Sequence, residues 1–180
     1  LLNYNRAGVP LIEIVTKPVI TSSKEAILYL EALRENLLYL GISDVKIEEG
    51  SMRCEANVSL KEESSSVLGT KVEIKNIGSI TNLGIGIEYE IERQKKLLQN
   101  GEKVTEETRR FCDKTNTTIL MRVKETGNDY RYFPEPDMAY IELTDEEISD
   151  TLKSLPILPN QLRNKYKQKG INSNNINTII

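Results

Sequence analysis

Period-two alternation is clearest over residues 52–60. There Met52, Cys54, Ala56, Val58 and Leu60 alternate with Arg53, Glu55, Asn57 and Ser59. Successive side chains of a strand point to opposite faces, so the segment predicts a strand with one oily and one polar side. A polar loop over 61–69 ends at Gly69, and Val72 and Ile74 then alternate with Lys71, Glu73 and Lys75. The loop length suits an antiparallel pair with the first strand, or two strands of one sheet with others between them. Leu11-Ile-Glu-Ile-Val15 is a further short β-rich run, closed by Pro18. Residues 103–111 and 117–124 predict a hairpin around Asp113–Asn116, and 138–143 a last strand.

Helical spacing governs the other stretches. Ser22 followed by Glu25 is a capping box, and Ala26, Ile27, Leu30, Leu33, Leu37 and Leu40 recur on one face before Gly41. A second helix is predicted over 81–99 on Leu83, Ile87, Ile91 and Leu98, with Gly101 at its end and Gly84 and Gly86 weakening its first turns. Thr144 with Glu147 is another capping box. Two short amphipathic helices, 145–154 and 160–169, follow around Pro156 and Pro159, and 172–178 reads as a loop or the start of another helix. Composition shifts near residue 143, which predicts one domain over 1–143 and the start of an all-α domain over 144–180. The fold class is α+β, an antiparallel sheet with flanking helices.

Composition then narrows the chemistry. The chain of 180 residues contains no histidine, which excludes Ser-His-Asp and Cys-His catalysis and every histidine-bearing zinc site within it. Cys54 and Cys112 are too far apart for a CxxC knuckle and suit free thiols in a reducing cytoplasm. No apolar run is long enough to span a membrane. Any metal here is held by carboxylates, as suits Mg²⁺, Ca²⁺ or Mn²⁺. The net charge of −3 is uneven: 151–180 carries Lys153, Arg163, Lys165, Lys167 and Lys169 without an acid, a weak pointer to an anionic partner. The chain opens within a patterned segment and without an initiator Met, and reads as an excised piece of a longer protein.

The predicted polar faces gather the candidate chemistry. If they coincide, Arg53, Glu55, Asn57 and Ser59 join Lys71, Glu73 and Lys75 in one patch. Alternation alone permits a plain solvated face. The same patch also suits a Mg²⁺–nucleotide site, in which carboxylates and an amide hold a hard cation and the cationic side chains hold phosphate. Glu13, set among apolar neighbours, either faces solvent from an edge strand or is held by a cation. Glu48-Glu-Gly-Ser51 is a turn with solvated acids or a ligand-bearing rim. In 129–137, Tyr130, Tyr132 and Phe133 are core side chains, or the segment is a loop presenting Arg131 to phosphate or carboxylate. No P-loop or dinucleotide fingerprint is present.

Four segments carry a resemblance. Asn5-Arg-Ala-Gly-Val-Pro-Leu-Ile-Glu-Ile-Val15, Glu48-Glu-Gly-Ser-Met-Arg-Cys-Glu-Ala-Asn-Val-Ser59, Glu73-Ile-Lys-Asn76 and Asp129-Tyr-Arg-Tyr-Phe-Pro-Glu-Pro-Asp137 resemble, in order, the B subunits of the bacterial and organellar aspartyl/glutamyl-tRNA amidotransferases. The resemblance implies the second half of a glutamine-synthetase-like cradle followed by the start of a helical domain. It implies a ligase that, with Mg²⁺ and ATP, phosphorylates the side-chain carboxylate of misacylated Glu-tRNA(Gln) or Asp-tRNA(Asn). Ammonia from an A subunit would then form the amide, and a small C subunit would tie A to B. Carried onto this chain, Glu73 is the implied Mg²⁺ ligand and Glu13 lines the same cavity. Arg53, Asn57 and Lys75 take phosphate or acyl-phosphate contacts. Glu55 stands where the family pattern has Asp, Asn3 also where it has Asp, and Gly78 where it has Asn. The family's remaining metal ligands lie outside this chain, so the chain alone is expected to bind Mg–ATP poorly and to be inactive. The competing expectations are a non-catalytic tRNA-binding or assembly module, or a different glutamine-synthetase-like carboxylate–amine ligase working without tRNA.

Overall fold

A computed structural model describes residues 2–5, 7–123 and 136–180. Helix α1 spans Ser23–Tyr39 and starts where the sequence predicts, with the Ser22 hydroxyl accepting the Glu25 backbone N–H. The box is skewed by one residue, because the Glu25 carboxylate accepts from Thr21 N–H at 2.7 Å. Gly41, at φ +66, takes the left-handed position that follows the helix. Strands β1 (Ala56–Val58) and β2 (Val72–Lys75) pair antiparallel, with Asn57 opposite Glu73 and Val58 opposite Val72. Helix α2 (Ile80–Gln99) then carries the chain to β3 (Glu107–Cys112), which turns through Asp113–Asn116 into antiparallel β4 (Thr117–Val123).

The sheet order is β1-β2-β3-β4, and β2 pairs with β3 in parallel. The sheet is therefore mixed rather than wholly antiparallel. The reason is α2: a parallel neighbour requires a crossover connection, and this helix supplies it. Both α1 and α2 pack on one side of the sheet. Ala26, Leu30, Leu83 and Ile87 meet Val58, Ile74 and Phe111 there, and these residues form the core. Gly84 and Gly86 explain themselves in this packing. A Cβ on Gly84 would lie 2.7 Å from Ile27 Cδ1, and one on Gly86 would lie 3.2 Å from the Phe111 ring. The two glycines let α2 sit close to α1 on one side and to the sheet on the other.

Two predicted strands do not form. Residues 11–15 are exposed and lie in no ladder, with Leu11 at 87% and Val15 at 77% exposure, and 138–143 is likewise exposed and irregular. Both have strand propensity, but a strand also needs a partner for its backbone N–H and C=O groups, and no described strand runs beside either. Helices α3 (Asp145–Ser154), α4 (Pro159–Gln168) and α5 (Ser173–Ile179) follow. The Thr144–Glu147 capping box is complete. Arg163 of α4 ties back to α1 through a two-pronged bond to Glu35, at 2.7 and 2.5 Å. Among the described residues no helix is long and apolar enough to cross a membrane.

Candidate active-site face

The two polar faces do coincide. Val72 and Ile74 point into the core with no exposure at all, which forces Glu73 and Lys75 to the opposite, outer side. Arg53, Glu55 and Asn57 are exposed on the neighbouring stretch, while Met52, Cys54 and Ala56 pack toward the core. The ladder itself covers only Ala56–Val58, yet the alternation in burial runs from Met52 to Val58 and fades at Ser59 and Leu60, which are both half-buried. Asn57 faces Glu73 across the ladder.

Lys75 organises this face. Its Nζ donates to both oxygens of Glu55 at 3.1 Å and stands 3.4 Å from Glu73 Oε1. Partial burial pushes the Lys75 ammonium toward a lower pKa, but the Glu55 hydrogen bond and the charges of Glu55 and Glu73 outweigh it, and the net shift is upward. Lys75 therefore stays charged at neutral pH. The Glu73 carboxylate is only 15% exposed, and its Oε2 accepts a 2.9 Å hydrogen bond from the hydroxyl of Thr108 on β3.

The other predicted site residues fall in different places. Lys71 lies at the entrance to β2 and pairs with Glu106 at 3.7 Å. Glu13 is exposed on the irregular N-terminal segment, and among the described residues no hydrogen bond or ion pair joins it to the face. Arg131, with Tyr130, Tyr132 and Phe133, lies outside the described residues. Glu48-Glu-Gly-Ser51 forms a tight turn: Ser51 N–H reaches the Lys46 carbonyl at 3.1 Å, the Ser51 hydroxyl accepts from Lys46 N–H, and Lys46 Nζ pairs with Glu49 at 2.8 Å. Those contacts favour the turn reading of that motif.

Register adds residues that the pattern did not single out. Thr108 lies opposite Glu73, and Arg122 of β4 lies opposite Thr108, so Asn57, Glu73, Thr108 and Arg122 form one row across the outer face. Arg110, opposite Lys75, adds an exposed cation. On the inner side, Glu90 of α2 is fully buried and accepts from Arg93 Nη2 at 2.8 Å, Gln94 Nε2 at 2.9 Å and Thr118 Oγ1 at 3.2 Å. Arg109 lies 3.7 Å from Glu90 and donates to Glu107 at 2.7 Å. The sequence held a signal for this network: Leu83, Ile87, Glu90 and Gln94 occupy one helical stripe, so the core-facing row turns polar halfway along α2.

The thiols take no part in either cluster. Both are free. Burial, with the Glu55 charge beside it, pushes the Cys54 thiol up to about 11. The Thr115 hydroxyl and backbone, followed by Arg110, draw the Cys112 thiol below its ordinary value.

Fold and face together define a class: an α+β protein with helices on one side of a mixed sheet and a cluster of acids, amide and cations on the other. Comparison with known proteins narrows it. The GatB/GatE catalytic domain family matches residues 1–149, and the chain belongs to that family. The B subunit of the aspartyl/glutamyl-tRNA(Asn/Gln) amidotransferase of Clostridium kluyveri is 48% identical over 169 residues, covering 94% of this chain and 36% of the relative. The protein of the same name from Lactococcus lactis subsp. cremoris is 51% identical over 165 residues, covering 92% of this chain and 35% of the relative. That of Streptococcus pneumoniae is 50% identical over 165 residues, again covering 92% of this chain, and 34% of the relative. The chain thus spans about a third of the length of these relatives.

Proposed function

We propose that this chain is part of the B subunit of an aspartyl/glutamyl-tRNA amidotransferase, and that its β1–β2 face serves the activation of a carboxylate by ATP. The reaction has two steps. The γ-phosphoryl group passes to a side-chain carboxylate oxygen of glutamate or aspartate carried on tRNA, and ADP leaves. Ammonia, supplied from glutamine by an A subunit, then attacks the acyl carbon. Phosphate leaves, the nitrogen gives up a proton, and the amide remains.

The observation that carries this reading is the Lys75 ammonium clasped between Glu55 and Glu73, with Asn57 opposite Glu73 in the ladder. Activation of a carboxylate needs cations around phosphate oxygens and oxygen ligands for a divalent ion, and it needs no protein nucleophile. The missing histidine and the raised Cys54 thiol are compatible with that chemistry. The donors suit Mg²⁺ in kind. Among the described residues no group of three or more acids or cysteines gathers to hold a metal. Mg²⁺, however, is commonly bound through one or two carboxylates with substrate phosphates and water completing the shell. Glu73 is the carboxylate placed for this, and Asn57 is the neighbouring amide oxygen. When bound, Mg²⁺ neutralises charge on the phosphates. Lys75, Arg53 and Lys71 orient phosphate oxygens, and Glu55 holds Lys75 in line. Glu13 is assigned to the same cavity by the family resemblance, Arg131 is assigned to phosphate or carboxylate on the reading of its own segment, and α3–α5 are assigned by the resemblance to the start of a helical domain that faces tRNA.

The test is Glu73→Gln in the full-length protein assembled with its partners. ATP-dependent amidation of misacylated tRNA is expected to be lost, while assembly and tRNA binding persist. Unchanged amidation would refute the reading and favour a docking module. Turnover without tRNA would point instead to another carboxylate–amine ligase.

A further inference from the structure

We infer that Thr108 is a positioning residue for the Glu73 carboxylate: its hydroxyl fixes one carboxylate oxygen so that the group is presented to a divalent cation in a single orientation. This rests on the reading of Glu73 as a metal-binding carboxylate.

Three observations lead to it. The first is burial. Thr108 lies on the outer side of the sheet with Glu73, yet it is only 1% exposed. A hydroxyl taken out of water needs a partner, since an unsatisfied one costs free energy of the same order as a lost hydrogen bond. The second is the partner chosen. Thr108 Oγ1 donates to Glu73 Oε2 at 2.9 Å, a side chain 35 positions away in sequence, although local backbone carbonyls are the commoner acceptors for such a hydroxyl. The third is the division of labour at the carboxylate. Oε2 takes the neutral hydroxyl, while Oε1 faces the Lys75 ammonium at 3.4 Å. One oxygen is anchored to the sheet and the other is turned toward the charged cluster.

The parallel β2–β3 pairing makes the contact possible, because it sets Glu73 and Thr108 at the same register position. Thr108 is also β-branched, so its χ1 is stiff and the hydroxyl direction is held by the strand itself. Groups that hydrogen-bond a ligating side chain set its orientation, and their removal typically weakens metal affinity by about 10–100-fold.

The experiment compares Thr108→Val, Thr108→Ser and Glu73→Gln in the full-length protein assembled with its partners. Mn²⁺ binding is read from the electron paramagnetic resonance signal of the free ion, independently of turnover. Valine keeps the shape and removes the donor, and serine keeps the donor. T108V is expected to weaken Mn²⁺ binding by about 10-fold or more while T108S stays close to the parent. E73Q is expected to weaken it at least as much. If E73Q weakens binding and T108V does not, the inference falls while the assignment of Glu73 stands. If T108V and T108S weaken binding equally, the hydroxyl is not the agent and the inference falls as well. If E73Q leaves Mn²⁺ binding unchanged, the metal assignment itself fails, and the role given to Thr108 fails with it.

Discussion

Replacing Glu90 with alanine tests how the inner side of the sheet is held. Its carboxylate has no solvent exposure and accepts hydrogen bonds from Arg93, Gln94 and Thr118. Its removal leaves the Arg93 and Arg109 guanidinium groups, with side chains 18% and 12% exposed, sharing Glu107 as the counter-charge at 3.6 and 2.7 Å. Deleting one partner of a buried ion pair costs about 3–5 kcal/mol, because the charge left behind stays desolvated. Glu107 still neutralises one guanidinium and both keep some water contact, so the lower end of that range, about 3 kcal/mol, is the expected loss. For a chain of this size each kcal/mol lowers the melting temperature by about 2–4 °C, which gives a fall of about 6–12 °C. Glu90→Gln preserves the volume and one acceptor and should cost about 1–2 kcal/mol. Urea unfolding followed by circular dichroism measures both variants, and an unchanged denaturant slope shows that the comparison is between like states. A loss below about 1 kcal/mol for alanine, the worth of a solvent-screened surface pair, would refute the claim that this carboxylate is the buried anchor of α2.

Two further outcomes follow from the titrating groups. Burial pushes the Glu107 carboxyl up, but the Thr105 hydroxyl, Arg109 and Arg93 outweigh it and hold the folded-state pKa below the ordinary 4.5. A lowered folded-state value means the stabilisation is present above 4.5 and lost as pH falls through the folded value. Glu107→Gln should therefore flatten the acid limb of a stability–pH curve measured by urea unfolding, and an unchanged limb would remove Glu107 as its source. Alkylation should separate the two thiols, both half-buried: iodoacetamide at neutral pH is expected to modify Cys112 before Cys54, as read by peptide mass spectrometry. Labelling of Cys54 as early as Cys112 would contradict the opposite shifts of the two thiols.

What the sequence discloses here is set by the range of each interaction. Capping boxes, helix stops and period-two alternation are local, and Ser22, Gly41, Thr144 and the strand pair around Asn57 and Glu73 all sit as the pattern predicts. Strand propensity is local too, but strand formation is not, which is why 11–15 and 138–143 carry the residues of strands without the ladders. Whether β2 and β3 run parallel is decided by the length and packing of α2, a quantity no window of a few residues contains. The same limit governs the site. Lys75, Glu73 and Glu55 were legible because one hairpin-like pair brings them together. Thr108 was not, because a threonine in a β-rich stretch reads only as a strand former until the register sets it beside Glu73. Glu90 and Gln94 were legible in principle, as polar residues on an otherwise apolar helical stripe. Such residues are costly to bury unless partners wait for them, and the partners here, Arg109, Glu107 and Thr118, come from the later hairpin. The hairpin thus acts on both sides of the sheet at once: Arg109 fixes α2 from within while Thr108, the adjacent residue, fixes Glu73 from without. A shift of one residue in the β2–β3 register would exchange those two faces, placing the guanidinium at the proposed metal carboxylate and the hydroxyl against the buried acid, so the charge pattern on both sides holds the strand in place.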